Sequence, residues 1–384
     1  MNGMEHKVIC ARYCIDVIRA VMWEQDVPEM PGEISLQELF EYARGQSVEA
    51  MVFHGLCQLD IAQDDPVWLH WENRAEMLLT QSIVQLAHRD ELFDLLTEAG
   101  VDMLPLKGSW LKEAYPQVDF RQMSDLDILI HGKDRRKVGQ LMESAGYTKE
   151  EQHAAHHDGY EKKPYTAVEI HLQMMNGSDK YHRYYDNVWE KVKTVDGNPR
   201  LFRLTPEDEY IYYILHLKHH LELAGCGIRL LLDSVVYRNL YPDMDPVYLQ
   251  KEYEKLGIGT FVNQIQQIAD CWFVSGTPIP EDLEELTRYI LWSGIYGSFD
   301  TAVQIKMDAL DRKYKNPLMR TLAYCCYHFC RPLSEMKGYY PVLEKCPVLL
   351  PVFWCVRLVS ILKKRPGTLR QHFRSVRRKG EENG

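Results

Sequence analysis

The stretch Ser124-Asp125-Leu126-Asp127-Ile128-Leu129-Ile130, preceded by Leu106-Lys107-Gly108-Ser109, decides the fold of this chain. Side chains alternate between the two faces of a β-strand, so Asp125 and Asp127 point to the same face. Leu126, Ile128 and Ile130 point to the other face, toward a core. Two neighbouring carboxylates repel each other unless a cation lies between them, and Mg²⁺ prefers carboxylate ligands together with substrate phosphates. The pattern therefore predicts a strand that carries a magnesium site.

The Gly108-Ser109 pair lies between an apolar run, residues 101–106, and a segment of helical spacing, residues 109–115. Glycine lets the backbone come close to a ligand, and a helix that follows offers free N–H groups to an anion. Ser109 adds a hydroxyl donor. This pattern is typical of a triphosphate site, although the same pair also occurs where only the turn geometry requires it.

A third carboxylate lies in the stretch Val168-Glu169-Ile170-His171-Leu172. By the same alternation, Glu169 and His171 share one strand face while the apolar residues share the other. Glu169 can complete a three-carboxylate cluster with Asp125 and Asp127, and such a cluster can hold two Mg²⁺ ions. His171 either assists this glutamate, orients it, or is a structural histidine.

The periodicity along the chain predicts an α+β fold. The predicted helices are 5–24, 66–99, 109–115 and 134–145, and the predicted strands are 101–106, 126–130, 160–163 and 167–172. Ser35-Leu36-Gln37-Glu38 and Thr205-Pro206-Glu207-Asp208 are typical helix starts. We therefore expect an N-terminal helical region at 1–100, a small mixed sheet with helices on one face at 101–204, a C-terminal helical domain at 205–362 and a basic tail at 363–384.

The composition is that of an ordinary globular protein: 384 residues, 46% hydrophobic and 26% charged, with a net charge of -10. The negative balance disfavours nucleic acid as the main partner, because phosphate backbones select basic surfaces. The ten cysteines form no Cys-x-x-Cys pair, and no signal-peptide pattern opens the chain, so we expect a cytoplasmic protein. The apolar stretch 347–362 is too short and interrupted to span a membrane. The basic tail is either a solvated helix end or a weak contact with an anionic membrane surface or an acidic partner.

A Gly-Ser turn, an Asp-x-Asp strand and a later strand with a single acid together resemble the DNA polymerase beta-like nucleotidyltransferase superfamily. A narrower resemblance, to its uncharacterised bacterial nucleotidyltransferase family, is carried by Leu106-Lys107-Gly108, Tyr115, Arg121, Ser124-Asp125-Leu126-Asp127-Ile128-Leu129-Ile130, Gly146-Tyr147, Glu169-Ile170-His171, Leu215-His216-Leu217, His220, Arg229 and Asp233. The resemblance implies a nucleotidyltransferase-type sheet between helical regions.

The resemblance also implies roles for individual residues. Gly108 and Ser109 would contact the triphosphate, and Asp125 and Asp127 would be metal ligands. Glu169 would be the third metal ligand and the base for the acceptor hydroxyl. The gap between Ser109 and Asp125 is longer than in many superfamily members and leaves room for a helix.

Lys107 and Arg121 are the cations that we expect near the phosphates, because charge that develops on a transferred group needs such donors. For each of them the alternative is an ordinary salt bridge. A further alternative for Arg121 is that it holds Asp125 or Asp127 in position.

The histidines outside this motif show no complete ligand set. His153, His156 and His157 lack a visible fourth zinc ligand, so a mobile loop near the acceptor site is favoured over a zinc site. His216 and His220 have the spacing of a zinc-protease helix, but a leucine follows His216 where those enzymes have glutamate, so a metalloprotease is disfavoured.

Two charged residues further along, Arg229 and Asp233, are four positions apart on a predicted helix. An intrahelical ion pair is the expected arrangement.

These features favour an Mg²⁺-dependent transferase that moves a nucleoside monophosphate from an NTP such as ATP to a hydroxyl or phosphate on a small molecule or a protein. We expect that Mn²⁺ can substitute. The alternative is a non-catalytic nucleotide- or partner-binding protein, which predicts a missing or misplaced carboxylate. A kinase is disfavoured because neither a Walker loop nor a kinase glycine loop is present.

Overall fold

The computed structural model describes residues 3–150, 157–176, 179–223 and 225–294, isolated positions between 319 and 340, and residues 342–364. The basic tail from position 365 on lies outside the described residues, as do His153 and His156. Within the described residues the chain forms thirteen α-helices and one mixed seven-stranded sheet, which confirms the predicted α+β class.

The N-terminal part is helical, as predicted. It contains α1 (Gly3–Met22), α2 (Leu36–Gly45), α3 (Glu49–Leu56) and α4 (Pro66–Glu98). The predicted cap of α2 is confirmed, because Ser35 Oγ accepts from the Glu38 N–H at 3.2 Å while the Glu38 side chain accepts from the Ser35 N–H at 2.9 Å. Gly100 ends α4 with a φ of +66°, a conformation that glycine adopts without strain.

The sheet has the strand order β3-β4-β5-β2-β1-β7-β6. Its strands are β1 (Met103–Pro105), β2 (Leu126–Ile130), β3 (Thr148–Lys149), β4 (His157–Lys162), β5 (Thr166–His171), β6 (Lys193–Val195) and β7 (Asn198–Arg203). β2 runs parallel to β5 and antiparallel to β1. Four of these strands were expected from the sequence, and β3, β6 and β7 extend the sheet at its two edges.

Two short helices connect the central strands. They are α5 (Gly108–Leu111) and α6 (Arg135–Ser144). The helix predicted at 109–115 is therefore a single α-helical turn, continued by a 3₁₀ turn at Lys112–Ala114. The cause is Pro116, which disfavours helical geometry in the residue before it, and Tyr115 has an extended ψ of 153°.

The C-terminal part is again helical, as predicted. It contains α7 (Pro206–Leu223), α8 (Ile228–Leu240), α9 (Pro246–Leu256), α10 (Gly259–Asp270), a π-helical turn at Cys271–Ser275, α11 (Glu284–Ser293), α12 (Val342–Lys345) and α13 (Leu350–Lys364). The Thr205 hydroxyl accepts from the Asp208 N–H and caps α7. None of the helices in the described residues has the length and apolar character that a membrane span requires.

The two faces of the sheet pack against different layers. Leu126, Ile128 and Ile130 point to the face that α4 and α6 cover, where they form one core with Leu96 and Met142. The opposite face carries Asp127 and Glu169. Its leucines, Leu104 and Leu129, belong to a larger core that includes residues of α1, α2, α3, α7 and α8. The acidic side chains therefore lie where the sheet meets the C-terminal helices.

Candidate active site

Parallel pairing of β2 and β5 brings the three predicted carboxylates together. Asp127 is paired directly with Glu169, and Asp125 lies just before β2 on the same face. One carboxylate oxygen from each of Asp125, Asp127 and Glu169 lies within 4.8 Å of the other two. We call these three residues the carboxylate cluster. The predicted convergence is confirmed.

Lys107 lies against this cluster, with its Nζ atom 2.8 Å from Oδ2 of Asp127. Its backbone has a φ of +48°, which is rare for a residue other than glycine and costly unless the surrounding structure enforces it. Burial works against the charged amine, but Asp127, Tyr212 and Asp125 outweigh it and raise the pKa of Lys107. Lys107 therefore stays charged beside the carboxylates.

The two aspartates titrate in opposite directions. Burial works against the ionised form of Asp127, but Lys107 and His171 hold the pKa of this carboxyl well below its usual value. Burial and the neighbouring Asp127 raise the pKa of Asp125 to about 6. The ionised form of Asp125 is therefore disfavoured by burial and by repulsion from Asp127. A bound cation would stabilise this ionised form more than that of Asp127.

His171 links two members of the cluster. Its Nε2 atom lies 2.7 Å from Oδ1 of Asp127 and 3.1 Å from Oε2 of Glu169. Burial opposes the imidazolium, but these hydrogen bonds raise the pKa of His171 to about 9. Of the roles that the sequence left open, orienting Glu169 is the one that these contacts support.

His157 is a second histidine beside the cluster. The sequence predicted a loop near the acceptor site for this residue, but it is the first residue of strand β4. It is paired with His171 across β4 and β5, and its Nδ1 atom lies 3.4 Å from Oε2 of Glu169. The ligand atoms of His157, Glu169 and His171 lie within 4.8 Å of one another, and we call these three residues the mixed group. Burial lowers the pKa of His157, which favours the neutral imidazole that metals bind.

The Gly108-Ser109 turn lies beside the cluster, but its two residues face different surroundings. Ser109 is buried, and its hydroxyl donates to the carbonyl oxygen of Leu106 at 3.0 Å, so it closes the turn. Gly108 faces the guanidinium of Arg121: a Cβ atom at this position would lie 2.1 Å from Nη1 of Arg121. The close approach explains why glycine is needed there.

Arg121 is held by a residue of α8. Its Nε and Nη2 atoms donate to the two carboxylate oxygens of Asp233 at 2.9 and 3.0 Å, and the Tyr115 hydroxyl donates to Oδ1 of Asp233 at 2.6 Å. The partner of Arg121 is thus neither Asp125 nor Asp127. The expected intrahelical pair of Arg229 and Asp233 is longer, 3.9 Å.

Two cavities open on the cluster. The larger, of about 720 Å³, is lined by Glu169 and His171 among others. The smaller, of about 120 Å³, is lined by Gly108, Arg121 and Arg229 among others. The residues that line both are Lys107, Asp125, His216 and His220. A volume of 720 Å³ is in the range of small-molecule sites, whereas 120 Å³ admits only a compact group.

The histidine pair of α7 borders both cavities. The Nε2 atoms of His216 and His220 are 3.0 Å apart. Burial and the charge of Lys107 lower the pKa of His220 to about 4 and that of His216 well below its usual value. Both imidazoles are therefore neutral at pH 7 and can donate or accept hydrogen bonds without adding charge.

The fold and this site define an α+β protein with a candidate acidic metal centre at the meeting point of sheet and helices. Residues 32–274 match a family described as uncharacterised nucleotidyltransferase, and the chain belongs to that family. The matched span contains the carboxylate cluster and every residue that lines the two cavities. No curated protein and no solved structure gives a significant match.

Proposed function

We propose that this protein is an Mg²⁺-dependent nucleotidyltransferase of the DNA polymerase beta-like superfamily. It moves a nucleoside monophosphate from an NTP to a hydroxyl or phosphate on a small molecule or a protein. The catalytic unit in this proposal is the segment 101–204, between helical regions at 1–100 and 205–362. The observation that carries the proposal is the convergence of Asp125, Asp127 and Glu169 beside a cavity of ligand size.

The donor set of the cluster fits a magnesium ion. It consists of carboxylate oxygens alone, the ligands that Mg²⁺ prefers, and burial together with repulsion from Asp127 already raises the pKa of Asp125. In this proposal Asp125, Asp127 and Glu169 hold one or two Mg²⁺ ions, with Mn²⁺ as a substitute. When bound, the metal would supply positive charge to the phosphates and stabilise the charge that develops on the transferring group in the transition state.

The protein side chains then have separate tasks. Glu169, which borders the larger cavity and is 29% exposed, accepts the proton of an acceptor hydroxyl. The acceptor oxygen forms a bond to the α-phosphorus, and the bond from that phosphorus to the pyrophosphate oxygen breaks. His171 keeps Glu169 and Asp127 oriented through its two hydrogen bonds. Lys107 offers its charge to the phosphates from its place beside Asp127.

The Gly108-Ser109 turn has a positioning task in this proposal. Gly108 leaves room for Arg121 and for close approach of the triphosphate to the backbone, while Ser109 holds the turn through Leu106. Arg121 contributes positive charge to the wall of the smaller cavity. Its charge is shared with Asp233, so we assign the closest phosphate contact to Lys107.

The alternative, a non-catalytic nucleotide- or partner-binding protein on the same fold, predicts a broken or misplaced cluster. The three carboxylates lie together, and Glu169 borders the cavity where an acceptor would bind. This arrangement favours an enzyme.

The test uses the purified full chain with each of the four NTPs labelled at the α-phosphate, Mg²⁺ or Mn²⁺, and a panel of small-molecule and protein acceptors. Asp125→Asn and Asp127→Asn should each reduce transfer on the order of 100-fold or more. The matched control is Asp102→Asn, an acid of the same sheet region that pairs with Arg200 outside the cluster, and it should retain activity. Binding of Mn²⁺ with ATP, measured by calorimetry, gives a readout that needs no acceptor. Metal-dependent NTP binding that is unchanged in both cluster variants, or absent from the wild type, would refute the proposal.

A further inference from the structure

The smaller cavity adjoins the carboxylate cluster, and Asp125 and Asp127 are part of its lining. Its volume of about 120 Å³ is below the range of sites that enclose a nucleoside or a drug-sized ligand. Its walls come from the Gly108 turn, the segment that carries Arg121, and helices α7 and α8. The ligand that fits this compartment is a compact polar group.

Arg229 is the residue that indicates the charge of this ligand. It is the second residue of α8, is only 6% exposed and lines the cavity. Its Nε and Nη1 atoms have no hydrogen-bond partner within the part of the chain that the structure describes. A buried guanidinium with free donors is costly, and phosphate oxygens are the acceptors that satisfy its planar fork best.

The neighbouring acids do not satisfy Arg229. The nearest, Asp233, is 3.9 Å away and already accepts two hydrogen bonds from Arg121 and one from Tyr115. Asp127 has Lys107 at 2.8 Å. Asp125 borders the cavity but belongs to the carboxylate cluster. Among the described residues, Arg229 is therefore a buried cation without a close carboxylate of its own.

The two cavities are adjacent and share part of their lining. Lys107, Asp125, His216 and His220 line both, so one extended ligand can occupy both while it passes the carboxylate cluster. The larger cavity has the volume for a nucleoside or an acceptor, and the smaller has the volume for phosphate groups. The neutral histidines can hydrogen-bond to phosphate oxygens without adding charge.

We propose that the cavity around Arg229 binds the two terminal phosphates of the NTP and then the pyrophosphate that transfer releases. This inference rests on the proposed function, because it assigns a part of the same substrate. When the bond between the α-phosphorus and the bridging oxygen breaks, the electron pair stays with the pyrophosphate, and Arg229 receives the added negative charge. Arg229 thereby selects triphosphates over diphosphates and monophosphates.

The test compares the wild type with Arg229→Met and Arg229→Lys in the full chain. Calorimetry in the presence of Mg²⁺ gives the dissociation constants of pyrophosphate, ATP and AMP. Arg229→Met should weaken binding of pyrophosphate and ATP at least about tenfold and leave AMP unchanged, because one charge-assisted pair is lost. Arg229→Lys, which keeps the charge without the fork, should be intermediate. The matched control is Arg238→Met on the same helix, where the arginine pairs with Asp270 outside the cavity.

The outcomes separate this inference from the function it rests on. Equal affinity of wild type and Arg229→Met for pyrophosphate overturns the inference, as does an equal loss for ATP and AMP, which would indicate a general structural role. If ATP binding depends on metal and on Asp125 but not on Arg229, the function stands and the pocket assignment fails. If pyrophosphate binding depends on Arg229 while ATP binding does not depend on metal, the anion pocket stands and the proposed function fails. Thermal unfolding of each variant checks that it is folded, and removal of an uncompensated buried charge is expected to be tolerated.

Discussion

The buried pair of Arg121 and Asp233 offers a quantitative prediction. Asp233 is fully buried, and its two oxygens accept three hydrogen bonds, two from Arg121 and one from Tyr115. Asn in its place has nearly the same volume, but one of its two polar atoms is a donor that faces the guanidinium donors. Arg121 then remains buried and charged without a matching carboxylate. Removing one partner of a buried ion pair costs about 3–5 kcal/mol, so Asp233→Asn should lower the free energy of unfolding by that amount.

The assay is urea unfolding followed by tryptophan fluorescence at pH 7. The chain supplies a matched control: Arg238 of α8 pairs with Asp270 of α10 in a two-bond contact, but the side chains are 27% and 43% exposed. Asp270→Asn removes a carboxylate charge from the same kind of pair, but at a position that is exposed to solvent. Exposed pairs contribute about 1 kcal/mol or less, so the control should change stability by no more than that.

The comparison between these two variants carries the test. A loss in Asp233→Asn that does not exceed the loss in Asp270→Asn would refute the reasoning, because the Asp233 pair is buried and also holds the Tyr115 hydroxyl, whereas the Asp270 pair is exposed. A loss of about 3 kcal/mol or more in Asp233→Asn alone would support it.

Three further predictions follow from individual residues. Burial lowers the pKa of Lys112 to about 7, so the unfolded chain binds a proton that the folded protein lacks between pH 7 and the ordinary lysine value of 10.5. The free energy of unfolding of the wild type should therefore rise with pH across that window. Urea titrations at pH 7 and 9.5 should show this rise in the wild type and not in Lys112→Met. An equal rise in both proteins would contradict the prediction. Gly108→Ala should cost about 1–3 kcal/mol, because its methyl group would meet a guanidinium that a buried ion pair holds in place, whereas Gly132→Ala adds a methyl group in open space and should be nearly neutral in the same titration. His157→Gln should weaken Zn²⁺ binding at the mixed group at least about tenfold in calorimetry and leave Mg²⁺ binding unchanged, because imidazole suits zinc and carboxylates suit magnesium; equal zinc affinities would contradict the grouping.

Local sequence patterns were sufficient for much of the fold. The span of α4 and the position of β2 agree with their predictions to within one residue, because long helical periodicity and strict alternation leave few alternatives. The capping box at Ser35 is likewise local, since it joins residues only three positions apart. The helix after Gly108 was predicted too long, because a proline ends it. The strands β3, β6 and β7 were not predicted: β3 and β6 are strands of two and three residues at the edges of the sheet, and β7 lies next to β6.

Some features of the candidate site could likewise be predicted from local sequence patterns, and others could not. The carboxylate cluster could be predicted because each acid lies on, or directly before, a strand whose apolar residues identify its buried face. The partners of these acids could not. His157 reaches Glu169 only because β4 and β5 pair in one register, and a shift of one residue would turn its side chain to the other face.

By itself, the sequence determined the four central strands, their buried faces and the presence of three acids with the right orientation, because these depend on side-chain alternation within a few residues. Only the tertiary structure decided which charges meet. Arg121 pairs with Asp233, 112 positions away in the sequence, and so leaves Arg229 without a close carboxylate in the part of the chain that the structure describes. Such choices depend on how α8 packs against the turn that carries Gly108, and no local pattern encodes the distance between two charges on different elements. The candidate metal site can thus be predicted from the sequence, whereas the proposed anion pocket beside it is a consequence of packing.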